Sequence, residues 1–293
     1  MTIEDIDTNP VLAGYSHPER IVTGQWLSAR IGRPNIKVVE VDENPLLYNI
    51  GHIPSAMRID WKSDLSDASI RDVVSAEDFA KLMSAKGIRP DDTVIIYGDG
   101  FNSWAAYALW IFDMYGHKDV RLLNGGREGW MSSERETSFS VTEPIPSEYP
   151  VPETQVDGMR AFHEDVRDCP ILLDVRPESF YNGTHEFTEE DMDMRTARAG
   201  HIPGAKNIPW DEFIFANGSF KTSTELKKLF TNFSPKNKTI TYCNLGNRSA
   251  LAWFVLKYLL GYEEVLNYDG SWLEWGNMIR TQIVRESDPK TAD

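Results

Sequence analysis

The residues best able to do chemistry lie in one run, Tyr242-Cys243-Asn244-Leu245-Gly246-Asn247-Arg248-Ser249-Ala250. A short apolar strand is predicted to end at Tyr242 and a helix to begin near Ser249. Cys243 then sits at the carboxyl end of a strand, facing a helix N-terminus. Gly246 and Asn247 tolerate positive φ, so the loop can turn successive backbone N–H groups inward. That concavity is an anion nest, strengthened by the helix dipole. Arg248 adds a guanidinium suited to bidentate contact with an oxyanion. The same field favours thiolate over thiol at Cys243, and the expected product is an activated sulfur nucleophile in an oxyanion cradle. The competing reading, a small buried structural cysteine, fits the strand–Cys–Gly–Arg–helix order poorly. Cys169 precedes Pro170 and has no basic neighbour beyond Arg167, so it is expected to be structural.

The elements that must position this loop alternate between strand and helix. Helical character is expected over 156–166, 222–233 and 249–260, and strands over 171–175, 205–208 and 238–242, with a last strand beginning at Val265. Such alternation implies a mostly parallel sheet with helices on both faces. Sites in such sheets lie beyond the carboxyl ends of the strands. The pattern occurs twice. Gly51-His52-Ile53-Pro54-Ser55-Ala56 recurs as Gly200-His201-Ile202-Pro203-Gly204-Ala205, and both copies run on to a Trp, Trp61 and Trp210. Thr93-Val94-Ile95-Ile96-Tyr97 matches Thr239-Ile240-Thr241-Tyr242. Asn124-Gly125-Gly126-Arg127-Glu128-Gly129-Trp130 matches Tyr268-Asp269-Gly270-Ser271-Trp272. Three collinear matches at a similar offset indicate a duplicated domain. Between the copies, four prolines within 144–152 favour extended backbone and a semi-rigid linker. The expected division is a first domain over 1–142, a linker over 143–156 and a second domain over 157–293.

Composition narrows the function classes. The 293 residues carry a formal net charge of −15, which argues against nucleic-acid binding because phosphate neutralisation needs surplus Lys and Arg. A hydrophobic content of 41% is enough for packed cores. Two cysteines rule out a disulfide framework and fit a reducing compartment. The start MTIEDIDTNP has no apolar stretch of signal type, and the apolar run near 250–260 is broken by Lys257 and too short to span a bilayer. The expectation is a cytoplasmic protein with no membrane partner.

Cys-x-x-Gly-x-Arg-Ser after a strand resembles the active-site loop of rhodaneses. The repeated Gly-His-Ile-Pro-x-Ala and the closing Asn267-Tyr268-Asp269-Gly270-Ser271-Trp272-Leu273-Glu274-Trp275 are also rhodanese-like. The likeness covers almost the whole chain in tandem form and is nearest to bacterial two-domain thiosulfate sulfurtransferases. It implies two tandem rhodanese-like α/β domains. It also implies a reaction in which Cys243 attacks the outer sulfur of a small anionic donor, forms a persulfide and passes the sulfur to a thiophilic acceptor such as cyanide or a thiol. No metal or organic cofactor is implied, because the cysteine carries the sulfur. The loop N–H groups of Asn244, Leu245, Gly246, Asn247 and Arg248 would hold the persulfide's terminal anion. Arg176, just after a strand end, resembles a basic residue placed near the donor. The first half has Gly98 where the second has Cys243, so the resemblance makes it an inactive copy.

Other residues are expected to be structural. Asp174 should accept hydrogen bonds beside the loop, and His52 and His201, present in both copies, should brace their turns. The charged stretch 183–199 is longer than its counterpart and is expected to be a solvated loop or a flap carrying Arg195 or Arg198. Three rival functions stand beside thiosulfate transfer. A 3-mercaptopyruvate sulfurtransferase usually has a neutral loop without the arginine. A cysteine phosphatase needs Cys-x5-Arg, whereas this loop is Cys-x4-Arg. A non-enzymatic regulatory module would not need Cys243 and Arg248 intact.

Overall fold

Uninterrupted apolar runs make the central strands, because a strand covered on both faces has no polar side to show. The computed structural model describes residues 6–141, 143–153, 157–189, 191 and 194–285. It divides into two units, Met1–Val156 with Ile214–Thr222, and Asp157–Phe213 with Ser223–Asp293. The sequence reading put all of 157–293 in the second domain, yet residues 214–222 group with the first. Local bonds account for this: Ile214 bridges Phe220, the Phe220 N–H donates to Asn124 Oδ1 at 2.9 Å, and the Tyr15 hydroxyl donates to the Lys221 carbonyl at 3.0 Å.

In the first unit the elements run β1 (Ile21–Val22), α1 (Gly24–Ser28), β2 (Ile36–Glu40), β3 (Met57–Arg58), β4 (Ser66–Asp67), β5 (Asp72–Val73), α2 (Ala76–Ala85), β6 (Thr93–Tyr97), α3 (Ser103–Met114), β7 (Asp119–Leu123) and α4 (Gly126–Ser132). The main sheet has the order β1-β7-β6-β2-β3, with every neighbouring pair parallel. The short β4–β5 pair is antiparallel and separate. Strand β6 and helix α3 are buried along their whole length, as their nearly all-apolar sequences require.

The second unit runs α5 (His163–Val166), β8 (Ile171–Asp174), α6 (Glu178–Asn182), β9 (Lys206–Asn207), α7 (Ser223–Leu229), β10 (Thr239–Tyr242), α8 (Asn247–Phe254), β11 (Val265–Asn267) and α9 (Ser271–Trp275). Its sheet is parallel throughout, in the order β11-β10-β8-β9. Of the helix expected over 156–166, Val156 lies outside the described residues. Arg160 is bridged to Asn267 instead, leaving only His163–Val166 helical. The expected 249–260 helix starts earlier, at Asn247, and its last turn widens into a π-helical stretch, Val255–Leu259.

The duplication is legible in single bonds. The Ile53 N–H donates to the Tyr97 hydroxyl at 2.9 Å, and the Ile202 N–H to the Tyr242 hydroxyl at 3.2 Å. His52 stacks on Tyr48 and His201 on Tyr181, each with Nδ1 on that tyrosine's carbonyl, so both histidines brace their turns. A guanidinium then ties each turn to a strand-end carboxylate. Arg127 reaches Glu40 at 2.9 Å and the Gly51 carbonyl at 2.5 Å. Arg176 reaches Asp174 at 2.6 Å and the Gly200 carbonyl at 2.8 Å. The two arginines come from different places in their repeats, yet close the same bridge.

This corrects the sequence reading of Arg176. It is not on an open rim; it is 1% exposed, beside a fully buried Asp174, with its guanidinium over the Trp272 ring at 4.5 Å. Arg127 makes the matching bridge in the half without a cysteine, which supports a role for Arg176 in holding the fold. Breaking a buried pair from one side strands the other charge, at a cost of about 3–5 kcal/mol. Arg176→Met is therefore expected to lower unfolding free energy by that order in urea titration. Unchanged stability with a raised donor KM would contradict this assignment.

Candidate active site

The loop after β10 is shaped by a close approach at Gly246. Its φ is +98°, and a Cβ there would lie 2.8 Å from both Cα and O of Asp269. Only glycine satisfies both the handedness and the space. Asp269 is itself fixed by a bidentate pair with Arg160, at 2.9 Å on both oxygens. With the turn set this way, the Gly246 N–H points back at Cys243 and donates to Sγ at 3.1 Å. Helix α9 anchors the loop from below. The Trp272 N–H donates to the Cys243 carbonyl and the Leu273 N–H to the Asn244 carbonyl, at 3.0 and 3.1 Å. The Cys243 N–H donates to Ser271 Oγ at 3.1 Å. The Ser249 hydroxyl lies 3.5 Å from Sγ, and Asn247 Oδ1 lies 3.8 Å away.

The structure brings the expected residues together unequally. Gly246 is on the sulfur, and Asn247 flanks it. Leu245 is half-buried. Asn244 is buried, with Nδ2 donating to Met194 Sδ at 3.2 Å and Oδ1 without a partner. Arg248 is half-buried, with its guanidinium 5.0 Å above the Trp210 ring, a cation–π contact that holds its direction. Cys243 itself differs from expectation. A reactive sulfur should be reachable, but the residue is 1% exposed, because the ring closes on Sγ. The 183–199 stretch reaches the loop through Met194, at Asn244. Arg198, expected on a solvated loop or a flap, instead donates to the carbonyls of Trp275, Gly276, Met278 and Thr281. Cys169 donates to the Ile171 carbonyl at 3.1 Å, and burial pushes its thiol up, in keeping with a structural role. Sequence reasoning missed Ser249, Asn267 and Ser271. All three stand inside the quoted motifs, where they served as marks of the repeat and the loop rather than as neighbours of sulfur.

The cysteine stands at a strand's carboxyl end with a backbone N–H on its sulfur, and the turn tied to that strand-end tyrosine recurs in both units. The rhodanese-like domain family matches residues 23–133 and again 159–278. The chain belongs to the rhodanese-like family. A thiosulfate sulfurtransferase of Corynebacterium glutamicum is 50% identical over 290 residues, covering 97% of this chain and 96% of that one. The sulfur carrier protein TtuD of Thermus thermophilus is 45% identical over 282 residues, 93% and 99% of the two chains. Among solved structures, SseA from Escherichia coli, described as a 3-mercaptopyruvate sulfotransferase, superposes with a TM-score of 0.73 at 27% identity. That match covers 86% of this chain and 98% of the other. Among the described residues no helix is long and apolar enough to cross a membrane.

The first rhodanese unit shows what becomes of the loop without the sulfur. Gly98 follows Tyr97 as Cys243 follows Tyr242, and a Cβ at Gly98 would lie 2.0 Å from the Val41 carbonyl. The chain has closed over the place where a cysteine side chain would start. Its loop N–H groups face the protein's own acids. The Asp99 N–H donates to Asp42 Oδ1 at 2.8 Å, and the Phe101 N–H to Glu128 at 3.3 Å. Burial, then the neighbouring Glu40, pushes Asp42 up to about 8, and burial pushes Asp99 up to about 6.

Two outcomes follow from this geometry. Gly246→Ala is expected to cut sulfur transfer by at least about tenfold and to cost about 1–3 kcal/mol of stability, read by steady-state kinetics and thermal unfolding. For Asp42, the folded protein holds the proton that the unfolded chain releases near pH 4. Its stabilising contribution is complete below that pH and is lost as pH rises to about 8. Asp42→Asn is neutral throughout, so its stability relative to the parent should climb between pH 5 and 8; a pH-independent difference would contradict the shift.

Proposed function

We propose that the chain moves a sulfane sulfur from thiosulfate to a thiophilic acceptor, cyanide or a thiol, through a persulfide on Cys243. The observation that carries the reading is the backbone N–H of Gly246 on Cys243 Sγ at 3.1 Å, with the Ser249 hydroxyl beside it. Such donors stabilise negative charge on sulfur without solvent. In the first half-reaction the Cys243 thiolate attacks the outer sulfur of thiosulfate. A new S–S bond forms, the old one breaks, and sulfite leaves with the bonding pair. In the second, the acceptor attacks the terminal sulfur and the thiolate returns, which gives ping-pong kinetics.

Catalysis of sulfur transfer is supported by the name of a relative sharing half of its residues over nearly the full chain. Thiosulfate as donor is supported by Arg248, because a sulfonate-like end favours a guanidinium over a neutral loop. Trp210 holds that guanidinium in place. Asn244, Leu245, Gly246, Asn247 and Arg248 form the binding loop, and the buried Arg176–Asp174 pair supports the strand end beside it. The first half serves as scaffold, which the closed backbone at Gly98 supports. Two free cysteines suit a reducing cytoplasm.

Cys243→Ser should abolish transfer in a folded protein. After thiosulfate treatment, mass spectrometry of the parent should find one added sulfur atom on the Cys243 peptide. A surviving rate in Cys243→Ser refutes the mechanism. Arg248→Ala should raise the thiosulfate KM about tenfold or more, the worth of one charge-assisted contact. A preference for 3-mercaptopyruvate by orders of magnitude would replace the donor.

A further inference from the structure

Ser249 lies in the first turn of α8, fully buried, as is Asn267 at the end of β11. Its hydroxyl oxygen is 3.5 Å from Cys243 Sγ, 2.7 Å from Asn267 Oδ1 and 3.0 Å from the Gly246 carbonyl. Asn267 is held in register because its Nδ2 donates to that same Gly246 carbonyl at 3.1 Å. Its Oδ1 therefore faces Ser249. A hydroxyl has one proton to give, and three acceptors surround it. The Gly246 carbonyl already takes N–H bonds from Ala250 and Asn267, so the proton's real choice lies between Asn267 Oδ1 and the sulfur.

That choice changes with the charge on Sγ during the reaction proposed above, on which this inference rests. When Cys243 is a thiolate, Sγ is the stronger acceptor. In the persulfide the charge sits one atom further out and Sγ is a neutral, divalent sulfur with single bonds to Cβ and to the outer sulfur, so Asn267 Oδ1 is stronger. When the acceptor attacks the terminal sulfur, the S–S bond breaks and its pair returns to Sγ. Negative charge then grows on a buried atom with little access to water. We propose that Ser249 is the leaving-group donor of the second half-reaction: its hydroxyl swings from Asn267 Oδ1 onto Cys243 Sγ as the persulfide bond breaks. No proton is transferred; one hydrogen bond is exchanged for another. In the first half-reaction the same bond stabilises the thiolate while dulling its attack, so the two effects of losing it oppose each other there.

The test separates the half-reactions. Enzyme loaded with thiosulfate, freed of excess donor and mixed with cyanide reports discharge as thiocyanate. Loading is followed separately by release of sulfite. Ser249→Ala is expected to slow discharge about tenfold, a charge-assisted hydrogen bond's worth, and to change loading by less than about threefold. Ser249→Thr should restore discharge. Arg248→Ala should show the reverse pattern, slow loading and near-parental discharge. Equal slowing of both steps by Ser249→Ala would mean that the hydroxyl only shapes the loop, and parental discharge would mean that it does nothing; either overturns the proposal. Failure of the parent to acquire sulfur would instead overturn the persulfide reading. Should Ser249→Ala not fold, Asn267→Asp serves in its place. Its carboxylate competes harder for the hydroxyl proton and should slow discharge more than loading, and parental discharge in that variant also overturns the proposal.

Discussion

The second unit is organised around one tight turn: a backbone that must leave β10, pass Cys243 and enter α8 within a few residues while aiming an amide at the sulfur. That turn exists only because Gly246 accepts a left-handed conformation against the backbone of Asp269. Asp269 in turn holds its place through Arg160. The bond from the Gly246 N–H to Sγ is thus set by residues at three separate places in the chain. Neither the strand nor the helix makes a site alone; the register between them does.

The two rhodanese units carry the same scaffold to opposite electrostatic ends. In both, a tyrosine at the strand end holds the Gly-His-Ile-Pro turn, and an arginine bridges that turn to a buried carboxylate. In the second unit the loop amide meets a sulfur. In the first, loop amides meet Asp42 and Glu128, and the backbone has moved in at Gly98. Inward-facing backbone N–H groups make a ready site for negative charge. Here one copy keeps it for a reacting sulfur and the other fills it with its own side chains, which raises the proton affinity of those acids by burial.

Burial also sets the terms of the chemistry. A sulfur that is 1% exposed depends on protein groups for the hydrogen bonds that water would give. Gly246 and Ser249 supply them, and Met194 of the charged 183–199 stretch lies against Asn244 next to the sulfur. The stretch thus touches the loop at Asn244, while its arginine at 198 is spent on the carbonyls around α9.

The sequence by itself determined the duplication, the parallel α/β sheets and the cysteine. Each rests on short-range signals: apolar runs of strand length, a repeated turn motif, and a Cys-Gly-Arg spacing set between an apolar strand run and a helical run. Tertiary structure alone decided the fate of Arg176 and Arg198, the grouping of 214–222 with the first unit, and the closing of the loop over Cys243. The reason is the same in each case. A guanidinium next to a strand end has the same local sequence whether it faces solvent or a buried carboxylate. Whether it is buried depends on backbone carbonyls dozens of residues away, such as Gly200 for Arg176 and Thr281 for Arg198. Ser249 was in plain view beside Arg248, but its nearest acceptor, Asn267, lies at the end of β11, and the packing of a helix on a strand leaves no mark on a linear chain.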